Sequence, residues 1–205
     1  MDDRRIVVMV KAPVPGRVKT RLCPPLTPEQ AAVLALAALE DTLTAAAACA
    51  ADRRVVVLDG EPGAWLPAGF EVLPQAEGVL AARMAAAFAA AGTPALMIGM
   101  DAPQVTPALL DAGLAALADH DAALGPAADG GYWAIGLRAP AAGVFEGVPM
   151  SNPGTADAQR ARLAALGLSV AELPPLRDVD TIEDVHAVAA AAPGTRFATA
   201  VAALP

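Results

Sequence analysis

Of the 14 basic residues in this chain only two are lysines, Lys11 and Lys19, and both lie in one short stretch. Positive charge is scarce overall. Twenty-two acidic residues leave a net charge of -8, which excludes general nucleic-acid binding. Cysteine is as rare as lysine. Cys23 and Cys49 have neither CxxC nor zinc spacing, so a disulfide framework or a structural zinc is not expected. Three common signatures are missing. No GxGxxG follows the first apolar run, which disfavours a dinucleotide-binding fold. Gly16 to Lys19-Thr20 lacks P-loop spacing, and no GxSxG marks a hydrolase nucleophile elbow. The first apolar run, Ile6 to Val10, is too short for a leader peptide or a membrane span. The expectation is a cytoplasmic protein with no membrane partner and no nucleic-acid partner. Its 205 residues are enough for one domain, 1–205, with a full core.

What is present gathers first at Lys11-Ala12-Pro13-Val14-Pro15-Gly16-Arg17-Val18-Lys19-Thr20-Arg21. An acidic chain places four cations directly after its first strand. Prolines stiffen the segment, and Gly16 lets backbone approach a ligand closely. It reads either as a loop that grips phosphate or as a solvated basic turn.

Beyond this loop, strands and helices alternate. Thr27, Pro28 and Gln30 form a capping box with proline at the first helical position, predicting a helix to about Ala50. Val33, Leu34, Leu36, Leu39 and Leu43 are its expected buried face. Strands are expected at 55–58, 70–73 and 95–99, and helices at 78–91, closed by Gly92, and from Thr106 to near His120. Residues 121–137 carry Asp129-Gly130-Gly131 between two strand-like runs and predict antiparallel pairing. A helix from Thr155 to Leu166, a strand at 168–173 and a final helix capped by Thr181 complete the pattern, with residues after Gly194 weakly specified. Such alternation argues for an α/β layered domain with a mainly parallel sheet.

Ligands of open α/β sheets bind beyond the carboxyl ends of the strands. The basic loop, Asp101, and the pair Asp178 and Asp180 all follow strands. Asp101 either caps the turn before Thr106 or holds Mg²⁺ or Mn²⁺, and Asp180 at a second strand end favours the metal. Magnesium takes one or two protein carboxylates and completes its shell with phosphate and water. Asp129-Gly130-Gly131-Tyr132-Trp133 holds the only tyrosine. It offers a possible base and an open backbone to a substrate, or else forms a tight turn with packed aromatics. Gln75 and Gly78 precede a helix and can meet a nucleobase or simply shape a loop. Ser151-Asn152, flanked by prolines, can contact an acceptor. His120 and His186 read as structural.

Four segments, taken in order, resemble a family of small bacterial glycosyltransferase-A-like proteins. They are Val10-Lys11-Ala12-Pro13 with Gly16-Arg17-Val18-Lys19-Thr20-Arg21-Leu22; Ile98-Gly99-Met100-Asp101-Ala102-Pro103; Gly125-Pro126 with Asp129-Gly130-Gly131-Tyr132; and Asp178-Val179-Asp180-Thr181. The resemblance spans nearly the whole chain. It implies a Rossmann-like, three-layer α/β/α fold with a mostly parallel mixed sheet. It also implies that Lys11, Ala12, Pro13, Gly16, Arg17, Lys19 and Arg21 hold nucleotide phosphates, with Lys19 nearest the reacting centre. Asp101 and Asp180 would hold the metal. Gln75, Gly78 and Arg83 would lie near the base, although relatives often have glycine where this chain has Ala81. Gly130, Gly131 and Tyr132 are expected at the substrate and Asp129 as a base.

The resemblance leaves two reactions open. A glycosyltransferase would move a sugar from a nucleotide sugar to a small acceptor, with Mg²⁺ or Mn²⁺ neutralising the leaving diphosphate. A nucleotidyltransferase would join a nucleoside monophosphate to a phosphorylated sugar or acid and release pyrophosphate. Asp101 stands alone where many glycosyltransferases have an Asp-x-Asp pair, while the dense cation loop suits pyrophosphate. A non-catalytic nucleotide-binding module is the third possibility. The first reading, glycosyl transfer, is the principal expectation.

Overall fold

The computed structural model describes residues 3–204. Met1 and Asp2, at the start of the expected single domain, and Pro205, at its end, lie outside the described residues. Among the described residues seven strands form one sheet: β1 (Arg5–Lys11), β2 (Arg53–Asp59), β3 (Glu71–Pro74), β4 (Ala95–Gly99), β5 (Ala122–Pro126), β6 (Tyr132–Leu137) and β7 (Val170–Glu172). Their spatial order is β3-β2-β1-β4-β6-β5-β7. Within this sheet β6 runs against β4 and β5, and every other pairing is parallel. The antiparallel pairing expected at 121–137 is therefore β5 with β6. The fold is the three-layer α/β arrangement implied by the resemblance.

The two-residue period of β1 sorts the core. Ile6, Val8 and Val10 face α1 (Pro28–Ala48) and α3 (Pro107–Ala116), meeting Leu39, Leu43, Leu110 and Leu114. Val7 faces α2 (Leu80–Ala91) and α4 (Thr155–Ala165), packing with Met84, Phe88 and Leu163. The capping box of α1 forms as the sequence predicts, with Thr27 Oγ1 accepting from the Gln30 amide. By length and composition α1 could cross a membrane, but Leu34, Leu39 and Leu43 are buried in the protein core. Val33 is 53% exposed, so the expected buried face of α1 loses that residue. It lies on the outer side of a helix whose alanines fill much of the inward stripe, and alanine gives a weak apolar period.

After α5 (Ile182–Ala191) comes a further helix, α6 (Arg196–Ala202), where the sequence specified little. Its start depends on a distant residue. Asp41 in α1 accepts the backbone N–H groups of Arg196 and Phe197 at 3.0 and 2.8 Å, while Thr195 accepts from Ala198. Phe197 is thereby fixed between α1 and α5, with Leu34 and Val188. Asp41→Ala leaves two helix-terminal donors without their acceptor. We expect a loss of about 2 kcal/mol, read as a lower midpoint in denaturant with the slope unchanged.

Candidate active site

The carboxyl ends of β1, β4, β5 and β7 and the start of β6 share one rim, because β6 runs in reverse. Two adjoining clefts open there. The larger, of about 660 Å³, is lined by Asp101, Asp129, Gly131, Tyr132, Asp178 and Asp180, together with Met84, Met150, Ser151 and Asn152. The smaller, of about 410 Å³, is lined by Lys11, Arg17, Lys19, Arg21, Gln75 and Arg83. Both are bounded by Met9, Arg21, Leu80, Gly99, Asp101 and Asp180. A cationic cleft and an acidic cleft thus meet at one wall of two aspartates and an arginine.

Lys19 stands in that wall. Its ammonium lies 2.6 Å from Asp101 Oδ2 and 3.7 Å from Asp180 Oδ1, and it donates to the carbonyl of Val179. Arg21 holds the other oxygen of Asp180 at 2.5 Å. Burial alone would push the Lys19 ammonium toward its neutral form. The Asp101 carboxylate, with Asp180 and Asp178 behind it, overcomes that and raises its pKa above the usual lysine value. Burial likewise opposes the Asp101 anion, and Lys19 outweighs burial and holds its carboxyl below the usual range. Asp178 goes the other way. Burial first, then the nearby charges of Asp101 and Asp129, push it up to about 7, with Lys19 only partly opposing them. Three aspartates, Asp101, Asp180 and Asp178, act on the one buried lysine and a fourth, Asp129, acts on Asp178, so carboxylates are in surplus over the buried cation.

That surplus bears on a metal. The donors are all carboxylate oxygens, which suit Mg²⁺ and Mn²⁺ rather than softer ions. Among the described residues no group of three or more His, Cys, Asp or Glu is already arranged to hold an ion. Asp101 and Asp180 converge on the Lys19 ammonium instead. The residues match the ion in kind and charge, provided Lys19 gives way.

The other expected residues divide. Lys11, Arg17 and Arg21 reach the cationic cleft, but Ala12, Pro13 and Gly16 do not line it. Ala12 is buried immediately past the end of β1. Gln75 and Arg83 lie together in that cleft, the Arg83 guanidinium bonding the Gln75 amide oxygen, whereas the exposed Gly78 lines neither cleft. Gly131 and Tyr132 line the acidic cleft, and Gly130 does not. Gly130 makes its close approach to the carbonyl of Pro153. Asp129 lines the cleft but commits Oδ1 to the Gly131 N–H at 2.8 Å, closing the turn between β5 and β6. The Tyr132 hydroxyl sits 3.4 Å from Gln159 Oε1 beside the sulfurs of Met84 and Met150, and burial raises its pKa. Trp133 is buried and donates to the carbonyl of Pro174, so it is mainly a core residue.

The sequence places Asp178 at a strand end with no metal role, and the structure sets it on the acidic cleft near Asp101 and Asp129. The Asp178-Val179-Asp180 repeat was the available signal. Val179 between them is buried, which turns the chain so that both carboxylates border the acidic cleft. Ser151 and Asn152 line the acidic cleft.

The sheet order, together with the likenesses that follow, marks the chain as a transferase with a nucleotidyltransferase-like fold. The chain belongs to a family described as "uncharacterized protein conserved in bacteria (DUF2064)", whose model matches residues 31–152. It is 37% identical over 207 residues to phosphoenolpyruvate guanylyltransferase of Thermomonospora curvata, covering 93% of this chain and 86% of that protein. The crystal structure of a Desulfovibrio desulfuricans G20 protein assigned to the nucleotide-diphospho-sugar transferases superposes with a TM-score of 0.90 at 27% identity. That match covers 98% of this chain and 95% of the other. Rv0371c of Mycobacterium tuberculosis, solved in complex with manganese, shares the fold at 24% identity and a TM-score of 0.53, covering 91% and 97%.

Proposed function

We propose that this protein is a nucleotidyltransferase. It joins a nucleoside monophosphate to a small phosphorylated acid or sugar and releases pyrophosphate. One observation carries the reading: a cleft lined with lysine and arginine meets a cleft lined with aspartate at a single wall. A nucleoside triphosphate fits the first and an acceptor the second, with the α-phosphorus at the wall. The guanylyltransferase relative supports this reaction over glycosyl transfer, and makes GTP and phosphoenolpyruvate the first substrates to test.

In this reaction an acceptor phosphate oxygen forms a bond to the α-phosphorus. The bond from that phosphorus to the bridging oxygen of the β-phosphate breaks, and pyrophosphate departs with the electron pair. Lys11, Arg17, Lys19 and Arg21 bind the β- and γ-phosphates and spread the charge that builds on pyrophosphate. Gln75 and Arg83 border the base. Asp101 and Asp180, with Asp178 beside them, would hold Mg²⁺ or Mn²⁺. When bound, the ion neutralises phosphate charge and brings the two anionic substrates together. Gly131, Tyr132, Ser151 and Asn152 bound the acceptor. Asp129 is not needed as a base, since a phosphate nucleophile is already ionised, and it shapes the turn instead. The whole chain acts as one nucleotide-binding domain, and substrates of this class suit a cytoplasmic enzyme.

The test pairs the protein and Mg²⁺ or Mn²⁺ with nucleoside triphosphates and phosphorylated acids or sugars, following pyrophosphate and product mass. A parallel panel offers nucleotide sugars. Pyrophosphate release with a joined product is expected. Release of nucleoside diphosphate from a nucleotide sugar would overturn the reading in favour of glycosyl transfer. Metal-dependent binding without turnover would leave a binding module.

A further inference from the structure

We propose that Lys19 is a tethered counter-ion that takes the place of the divalent ion between Asp101 and Asp180 in the ligand-free protein, and leaves it for the nucleotide's phosphates. This rests on the metal role proposed above for the two aspartates. The Lys19 side chain is only 10% exposed and its ammonium reaches both carboxylates. Asp101 and Asp180 cannot both keep that ammonium and give the same oxygens to a divalent ion. Another place is nearby, because Lys19 also lines the cationic cleft beside Arg17 and Arg21. Lysine suits the exchange, being a compact charge on a flexible stem.

The backbone supports it. Lys19 has φ 47° and ψ 37°, in the left-handed region that side chains other than glycine avoid. Strain of this kind persists only where surrounding contacts enforce it. Here Val18 is packed with Ala32 and Ala35 on one side, and Leu22 is buried on the other. The bend between them aims the ammonium inward. The second tether is weak: Arg21 is 68% exposed where it meets Asp180, so water competes for that pair.

The consequence is coupling. A divalent ion alone must displace Lys19 and so binds weakly. A nucleotide draws the ammonium toward its phosphates and frees the carboxylates, so ion and nucleotide each tighten the other by the same factor.

The test is Mn²⁺ binding followed by electron paramagnetic resonance, without turnover. Lys19→Met, which keeps an unbranched chain one atom shorter and loses the charge, should bind Mn²⁺ about tenfold more tightly than the native protein when no nucleotide is present. GTP should tighten Mn²⁺ strongly in the native protein and much less in the variant. Equal Mn²⁺ affinity in the two folded proteins would overturn the counter-ion role while sparing the metal site. Failure of the native protein to bind Mn²⁺ with any nucleoside triphosphate would overturn the metal reading itself. Should the variant not fold, the native chain supplies a second measurement, since it has only two lysines. Acetylation mapped by mass spectrometry should label Lys19 more slowly than Lys11, and millimolar Mn²⁺ alone should speed labelling of Lys19. Labelling unchanged by Mn²⁺ would refute the exchange.

Discussion

Asp101→Asn is expected to reduce nucleotidyl transfer by about a thousandfold, some 4 kcal/mol of transition-state stabilisation. Three roles meet in this carboxylate. It borders both clefts, it is the nearest partner of the Lys19 ammonium at 2.6 Å, and its oxygen is a hard donor for the ion. Asparagine keeps the shape and one oxygen but not the charge. Removing one partner of a fully buried pair costs about 3–5 kcal/mol of stability. The cost here should be about 1–2 kcal/mol, because Asp101 is partly exposed and the Val179 carbonyl and Asp180 still receive Lys19. The variant should therefore fold, as circular dichroism can verify. Calorimetry should then show metal-dependent nucleotide binding lost. Unchanged binding would remove Asp101 from the metal site. Asp129→Asn is the contrasting change. Its oxygen closes a turn, which asparagine does equally well, so activity should stay within about tenfold of native.

Much of this arrangement was legible in the sequence because rare residues carried it. Two lysines in an alanine-rich chain whose other basic residues are all arginine mark the loop after β1, and the capping box of α1 is written in four adjacent residues. Apolar runs at β1 and β4 place Lys11 and Asp101 at strand ends, and a parallel sheet brings them to one rim. What could not be read depended on contacts between distant residues. The sequence implies cations facing aspartates across a ligand. It does not reveal that Lys19 already binds Asp101 and Asp180, since that pairing is fixed by the left-handed bend at Lys19. Ala12 and Gly16 belong to the motif by position, yet neither lines a cleft. The start of α6 was invisible because its acceptor, Asp41, lies in α1. Choosing between nucleotidyl and glycosyl transfer was beyond the motifs, since both reactions begin with a nucleotide's phosphates beside carboxylates.

Gly130→Ala, in the turn behind the acidic cleft, should be the most damaging small substitution near it. Gly130 has φ +87°, and a Cβ there would overlap the carbonyl oxygen of Pro153 and stand 2.5 Å from its carbonyl carbon. The obstacle is backbone, so no side-chain rotation relieves it. Neither side is free to yield. The Gly130 N–H donates to Ala127, and its carbonyl accepts from Ala156 at the start of α4. Left-handed strain and overpacking together should cost about 3 kcal/mol. To make room, the 150–154 segment must shift, taking Ser151 and Asn152 out of the acceptor wall. Urea unfolding should report the lost stability. Kinetics on the folded fraction should show the acceptor KM raised about tenfold or more with nucleotide affinity little changed, because the cationic cleft lies beyond Asp101. Gly131→Ala, one residue on, would meet only the flexible carboxylate of Asp129 and should cost about 1 kcal/mol or less. Equal effects from the two changes, or an equal rise in both KM values, would show that this turn does not set the acceptor cleft.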